Sequence, residues 1–174
     1  GKKCGYSRLI SFDMGGTSTD VALLNDQISV THENHVDDLP IAVPMMDMHT
    51  VGAGGGSIAY EDAGGALKVG PKSAGADPGP ICYGTGTEFT VTDANVVLGR
   101  LIPRFFLGGG MDLDVKRIAP VVRKLKGFGN WPNLESMAEG VIEVVNNNME
   151  QAIRLISLEQ GYDVREYTLV TFGG

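Results

Sequence analysis

Short apolar runs broken by polar residues fill the first half of the chain, and apolar positions recur at helical spacing through the second. Leu9 to Asp13, Asp20 to Asn25 and Gln27 to His32 read as three strands, which predicts an antiparallel meander. A tight glycine turn, Met14-Gly15-Gly16-Thr17-Ser18-Thr19, joins the first two, and Asn25-Asp26 serves as the second turn. Pro40 and Pro44 bracket a short extended piece, Ile41-Ala42-Val43. Met45 to Thr50 reads as irregular, its methionines filling gaps in a core. Ile58 to Glu61 and Ala66 to Val69 predict a hairpin that turns at Gly64-Gly65. The loop that follows, Gly70 to Thr87, is long, and loops of that length inside compact domains usually serve function.

In the second half, Thr92 or Asp93 is the expected N-cap of a helix ended by Pro103. Asp112 or Asp114 opens another through Leu125, closed by Gly127. The strongest helical pattern runs from Leu134 to Glu159, with Met137, Val141, Val144 and Val145, Met149, Ile153 and Ile156 recurring at helical spacing. Asn146-Asn147-Asn148 interrupts it with weak helix formers, and Gly161 is the expected C-cap. A last strand from Tyr167 runs into Gly173-Gly174. The order of meander, hairpin, loop, helices and strand predicts an α/β fold, a mixed sheet with covering helices. Its phosphate turn and terminal glycine loop would meet at one ligand.

The first turn carries the most chemistry. Gly15 and Gly16 let backbone approach a ligand closely, and the N–H groups of such a turn can converge on an anion. Thr17, Ser18 and Thr19 add hydroxyl donors. Asp13 and Asp20 flank the turn, which suits a phosphate only with a divalent cation between them, and Mg²⁺ takes one or two carboxylates plus waters and phosphates. No Lys or Arg occurs between Leu9 and Leu67, and no GxxxxGK[ST] pattern occurs anywhere, so backbone amides and a metal must carry the charge. The plainer reading is a β-hairpin turn with Asp20 satisfying its own backbone.

Other candidates carry two readings each. Gly54-Gly55-Gly56-Ser57 is a second backbone nest or a tight approach to a neighbouring loop. Asp77 points into the site from a stiff proline loop or caps that loop. Asp93 reads as a helix cap. His32, His35 and His49 lie near Asp47 but match no strong zinc spacing. Cys82 has no basic neighbour in sequence and reads as structural.

At 174 residues the length suits one domain, and a formal charge of −7 argues against nucleic acid and anionic membrane as partners. No apolar segment approaches the length of a membrane span, no signal peptide is visible, and two cysteines make no disulfide framework. Together these lead to the expectation of a cytoplasmic protein. The final strand halts at a glycine pair, so the chain is expected to be a fragment.

Asp13-Met14-Gly15-Gly16-Thr17-Ser18-Thr19-Asp20 resembles the second phosphate motif of the actin-like ATPase superfamily. His49-Thr50-Val51-Gly52-Ala53-Gly54-Gly55-Gly56-Ser57, Val69-Gly70-Pro71-Lys72-Ser73-Ala74-Gly75-Ala76-Asp77-Pro78-Gly79-Pro80 and Thr90-Val91-Thr92-Asp93-Ala94-Asn95 resemble the hydantoinase A/oxoprolinase family, in the right order along the chain. The resemblance implies an actin-like ATPase (ribonuclease H-like) half-domain, residues 1–174 being a single partial domain from the second half of the module. It implies ATP and Mg²⁺, and opening of a cyclic amide such as a hydantoin, 5-oxoproline or a lactam. The partners implied are the rest of the polypeptide and a hydantoinase B-type subunit or domain. By the same resemblance Gly15, Gly16, Thr17, Ser18, Thr19, Gly54, Gly55, Gly56, Asp77, Gly173 and Gly174 bind the cofactor, and Asp13 and Asp20 act in catalysis and on the metal. A ketone-carboxylase subunit and a non-catalytic ATPase-like module remain as alternatives.

Overall fold

The computed structural model describes residues 2–25, 27–28, 30–31, 34–36, 39–41, 45–125, 127 and 131–173. The strands in chain order are β1 (Arg8–Met14), β2 (Thr19–Asn25), β3 (Gln27–Ile28), β4 (Val30–Thr31), β5 (Asn34–Val36), β6 (Leu39–Ile41), β7 (Met45–Met46), β8 (His49–Val51), β9 (Ser57–Glu61) and β10 (Leu67–Ser73). Helices α1 (Val91–Val97), α2 (Val115–Val122) and α3 (Leu134–Ile156) follow, and β11 (Thr168–Gly173) ends the described chain.

The main sheet is mixed. β1 pairs antiparallel with β2 and parallel with β11, while β2 takes β3 and β8 as antiparallel partners. The expected meander therefore exists, and β3 is its short third strand. Asp26, His32 and the piece Ala42-Val43 lie outside the described residues. Part of the segment expected to be irregular is β8, whose pairing with β2 sets Thr50 opposite Asp20 and Val51 opposite Thr19.

One helix unites the molecule because its apolar face changes partners along its length. The N-terminal half of α3 places Met137, Val141 and Val145 in a cluster with Ala59 and Val69 of the β9–β10 hairpin, Val91 of α1 and Ile118 of α2. Its last turns place Ala152 and Ile156 against Ile10 of β1 and Val21 and Leu23 of β2. The Asn133 side chain caps the helix by accepting from Ser136 N at 2.7 Å. The asparagine run does not break it. Asn148 donates to the Val69 carbonyl at 3.2 Å, so packing against β10 overrides weak propensity. The helix stops at Ile156, short of Glu159, and Gly161 closes a separate 3₁₀ turn at φ +84°.

The N-cap of α1 is Thr90, two or three residues before the expected position, and Asp93 is the third helical residue of a capping box. Asp93 is fully buried. Its carboxylate accepts from Thr90 N and from the Thr90 hydroxyl, and from Ile81 N and Cys82 N at 3.1 and 2.8 Å. It thus pins the loop after β10 to the start of α1. That loop is shorter than expected, since β10 runs on to Ser73 and a 3₁₀ turn spans Ile81–Tyr83. Asp93→Ala would leave three buried N–H groups without an acceptor, at roughly 1–3 kcal/mol each. The expected loss of about 4 kcal/mol or more should appear as a lower urea midpoint at unchanged slope. A midpoint near wild type would show that water replaces the carboxylate.

Candidate functional site: a glycine turn clasped from behind

The Gly15–Ser18 turn closes through Gly15 N donating to the Ser18 carbonyl at 2.9 Å. The Gly15 carbonyl accepts from Gly55 N at 3.0 Å and the Gly16 carbonyl from Gly56 N at 2.6 Å. Both peptide bonds are trans, and a trans peptide sends its C=O and the next N–H in opposite directions. Clasping the two carbonyls therefore aims the N–H groups of Gly16 and Thr17 away from the clasp. Neither N–H has a protein acceptor among the described residues. Two adjacent free amides facing one way form a concavity for an anion.

The clasp is itself anchored. The Gly55 carbonyl accepts from Thr92 N at 2.7 Å and from the Thr92 hydroxyl at 2.9 Å, and the Gly56 carbonyl from Ala74 N at 2.8 Å. Gly54 N donates to the Ser57 hydroxyl at 2.8 Å. All three amides of Gly54, Gly55 and Gly56 are thus engaged within the chain. Of the two readings for this run, the arrangement is that of the tight approach. A Cβ on Gly54 would lie 2.7 Å from the Gly15 oxygen. Thr19 is fully buried and donates its hydroxyl to the Ala53 carbonyl, fastening the end of the turn to the same run.

Asp13 and Asp20 face each other across β1 and β2. Both are half-buried, and directly opposed like charges disfavour the pair. Asp20 Oδ1 accepts from the Thr50 hydroxyl at 2.5 Å. On the other side of β1, Gly173 pairs with Met14 at φ +99°, and a Cβ there would lie 2.5 Å from Asp13 Oδ1. Gly173 therefore lies beside the strand end that leads into the Gly15–Ser18 turn; Gly174 lies outside the described residues.

Met14 points to the face opposite Asp13. There the turn borders a cavity of about 370 Å³. Gly15, Gly16, Thr17, Gly55 and Gly56 are among the residues that line it. Gly75, Ala76 and Pro80 also line it, as do Tyr83, Leu101, Phe106 and Leu107. No acidic or basic side chain lines it among the described residues. Sequence reading missed this wall, because Leu101, Phe106 and Leu107 come from irregular backbone with no periodicity to flag them. A larger cavity, about 720 Å³ between β10 and α3, does not touch the turn.

The remaining candidates sit elsewhere. Asp77 is exposed on its loop and is not part of the cavity wall. His49 lies on β8 opposite Val21. His32 and the side chain of His35 are outside the described residues, among which no group of three His, Cys, Asp or Glu could hold a metal. Cys82 is fully buried, and desolvation, with the Asp93 charge beside it, pushes its thiol well above the ordinary range. It is inert as a nucleophile. No described helix is long and apolar enough to cross a membrane.

The hydantoinase/oxoprolinase family model matches residues 1–174. Caprolactamase subunit alpha of Pseudomonas jessenii is 42% identical over 98% of this chain, and 5-oxoprolinase of Saccharomyces cerevisiae 41% identical over 95%. The chain spans 25% of the first and 14% of the second. The crystal structure of the Pseudomonas jessenii ATP-dependent caprolactamase superposes with a TM-score of 0.86 at 41% identity, covering 99% of this chain and 25% of that one. A nucleotide-free acetone carboxylase superposes at 0.89 with 31% identity over the same shares. Sheet, helices and flanking turns match the actin-like ATPase type of half-domain in these structures. The chain belongs to the hydantoinase/oxoprolinase family.

Proposed function

We propose that this chain is the second half of an ATPase module in a larger enzyme that couples ATP cleavage to the opening of a cyclic amide. The observation that carries the reading is the clasped turn, whose Gly16 and Thr17 N–H groups are left facing outward. Thr17 and Ser18 in the same turn carry hydroxyl donors. These donors suit the β- and γ-phosphates of ATP, held without a lysine. The two facing carboxylates fit Mg²⁺, a hard ion that takes few protein ligands and completes its shell with water and phosphate oxygens. When bound, the ion supplies neutralisation of phosphate charge.

The chain's own residues position and hold. Gly55 and Gly56 fix the turn, Thr50 orients Asp20, and Gly173 gives Asp13 room beside β11. In the reaction the amide oxygen takes the terminal phosphoryl group and its bond to ADP breaks. Two waters are consumed overall, giving the ring-opened amino acid, ADP and phosphate. The rest of the polypeptide supplies the other ATPase half. A hydantoinase B-type subunit or domain completes the assembly, a reading supported by a relative named as a subunit alpha.

A second reading, ATP-driven carboxylation of a ketone on the same fold, is favoured by the 0.89 superposition on acetone carboxylase. ADP release by the full-length protein, with its partner subunit where one exists, tests both. Stimulation by caprolactam, hydantoin or 5-oxoproline without bicarbonate is expected. Stimulation by acetone only with bicarbonate would select the carboxylase. No stimulation by any of them, with Mg-ATP binding intact, would overturn both.

A further inference from the structure

Three consecutive asparagines near the middle of α3 weaken a 23-residue helix, since each is a poorer helix former than alanine. Asn148 uses its Nδ2 on the Val69 carbonyl. The side chains of Asn147 and, one turn further on, Gln151 make no hydrogen bond to protein among the described residues. All three carboxamides line the cavity of about 720 Å³ between β10 and α3. A local rule broken without gain inside the chain is a mark of function. We infer that this cavity is a docking groove for an extended segment supplied by the rest of the larger polypeptide. The groove would serve that end in an enzyme of any chemistry, so only the larger polypeptide is taken from the proposed function.

The lining describes the occupant. A carboxamide carries an acceptor and two donors, the same groups that a peptide bond presents. Asn147 and Gln151 are four residues apart and so are neighbours on one helix face. Asn148 and Val69 already make one bond between a carboxamide and extended main chain, and the Asn148 Oδ1 remains without a donor among the described residues. The charged side chains that line the groove are Lys68 and Glu143, one of each sign, which selects neither an anion nor a cation. Val51, Leu67 and Val144 are half-buried and add apolar surface for alternate side chains of a strand. Tyr60 also lines the groove and is 41% exposed, a large ring of the type enriched where chains meet. The occupant is therefore neutral, carries donors and acceptors along its length and is apolar at intervals. An extended peptide has these properties; a nucleotide, a metal ion and an apolar helix do not.

The share of the relatives' length points to its source. This chain spans 25% of the caprolactamase subunit alpha. Covalent linkage holds the remaining polypeptide at high local concentration, which favours it over any segment that must arrive from solution.

The test uses the full-length protein with Lys68→Cys as a probe. The Lys68 side chain is 53% exposed and its one ion pair, with Asp62, is long at 3.9 Å, so the exchange is mild. Maleimide labelling of this thiol is followed by peptide mass spectrometry and compared with the unfolded protein. Labelling of the native protein should be slower by about a hundredfold or more, as for a site reached only by local opening. Adding Asn147→Ala and Gln151→Ala should speed it about tenfold, the scale of one lost hydrogen bond. Alanine is the better helix former, so these changes do not unfold α3. Asn146 does not line the groove, and Asn146→Ala should leave labelling unchanged. A smaller slowing in the native protein is what an open groove gives, and it overturns the inference. Slow labelling that the double alanine variant leaves unchanged would mean a cover not held by the carboxamides, which overturns it as well. Slow labelling that appears only after a partner subunit is added would move the occupant to that subunit and end the assignment to the same polypeptide. None of these outcomes depends on which compound drives ADP release, so failure here leaves the proposed function standing.

Discussion

Replacing Asp13 by Asn in the full-length enzyme is expected to lower ATP turnover by about 10³-fold or more, or roughly 4 kcal/mol of barrier. The same change should leave the melting temperature unchanged or slightly raised. Asp13, next to last in β1, lies directly opposite Asp20, so the two carboxylates repel in the empty protein. Asn keeps the shape and removes the repulsion. A residue with a purely structural role would do the reverse, costing stability when replaced. Under the proposed function the charge has value only when Mg²⁺ and phosphates share the site, so its loss should appear in turnover and in the Mg²⁺ concentration for half-maximal rate. Asp20→Asn is expected to be milder, because the amide oxygen can still accept from the Thr50 hydroxyl. Near-normal turnover in Asp13→Asn would remove Asp13 from the mechanism and shift the metal to groups elsewhere in the polypeptide.

How much of this was legible beforehand depends on whether side chains or backbone carry the information. The turn between β1 and β2 was legible because two apolar runs frame a glycine pair flanked by carboxylates. Helix α3 was legible because seven apolar positions keep one period, although its asparagines misled. The capping role of Asp93 was visible in composition, but its register was not, since Thr90 and Thr92 are equally good caps by type. The partners of Gly54–Gly56 could not be read. A glycine run offers no side chain to pattern, and its hydrogen bonds reach a turn some 40 residues earlier, to Gly15 and Gly16. The parallel pairing of β11 with β1 was hidden for the same reason of distance in sequence, although the glycine at its end hinted at convergence. The cavity wall was the least legible part, because Leu101, Phe106 and Leu107 sit in irregular backbone where apolar residues have no period to betray them.

Gly54→Ala tests whether the clasp positions the turn. The added Cβ would stand 2.7 Å from the Gly15 oxygen and 2.8 Å from both the carbon and the oxygen of Gly16. All three are backbone atoms, so no rotamer change can relieve the contact. Either the turn moves away or the glycine run does. In both cases the two carbonyl clasps lengthen, and the Gly16 and Thr17 N–H groups lose their common aim. A displacement of about 1 Å at a phosphate-positioning group costs on the order of 10²-fold in rate, and that loss is expected in kcat/KM for ATP. The cost to stability should be that of ordinary overpacking, about 1–3 kcal/mol, leaving the protein folded at room temperature. The measurement is paired: Mg-ADP affinity by calorimetry and melting temperature on the same sample. Affinity should fall far more than the lost stability would explain, because the folded fraction stays near one. Wild-type affinity in a stably folded Gly54→Ala protein would show that the turn holds its conformation unaided. The glycine run would then be a packing device with no part in binding.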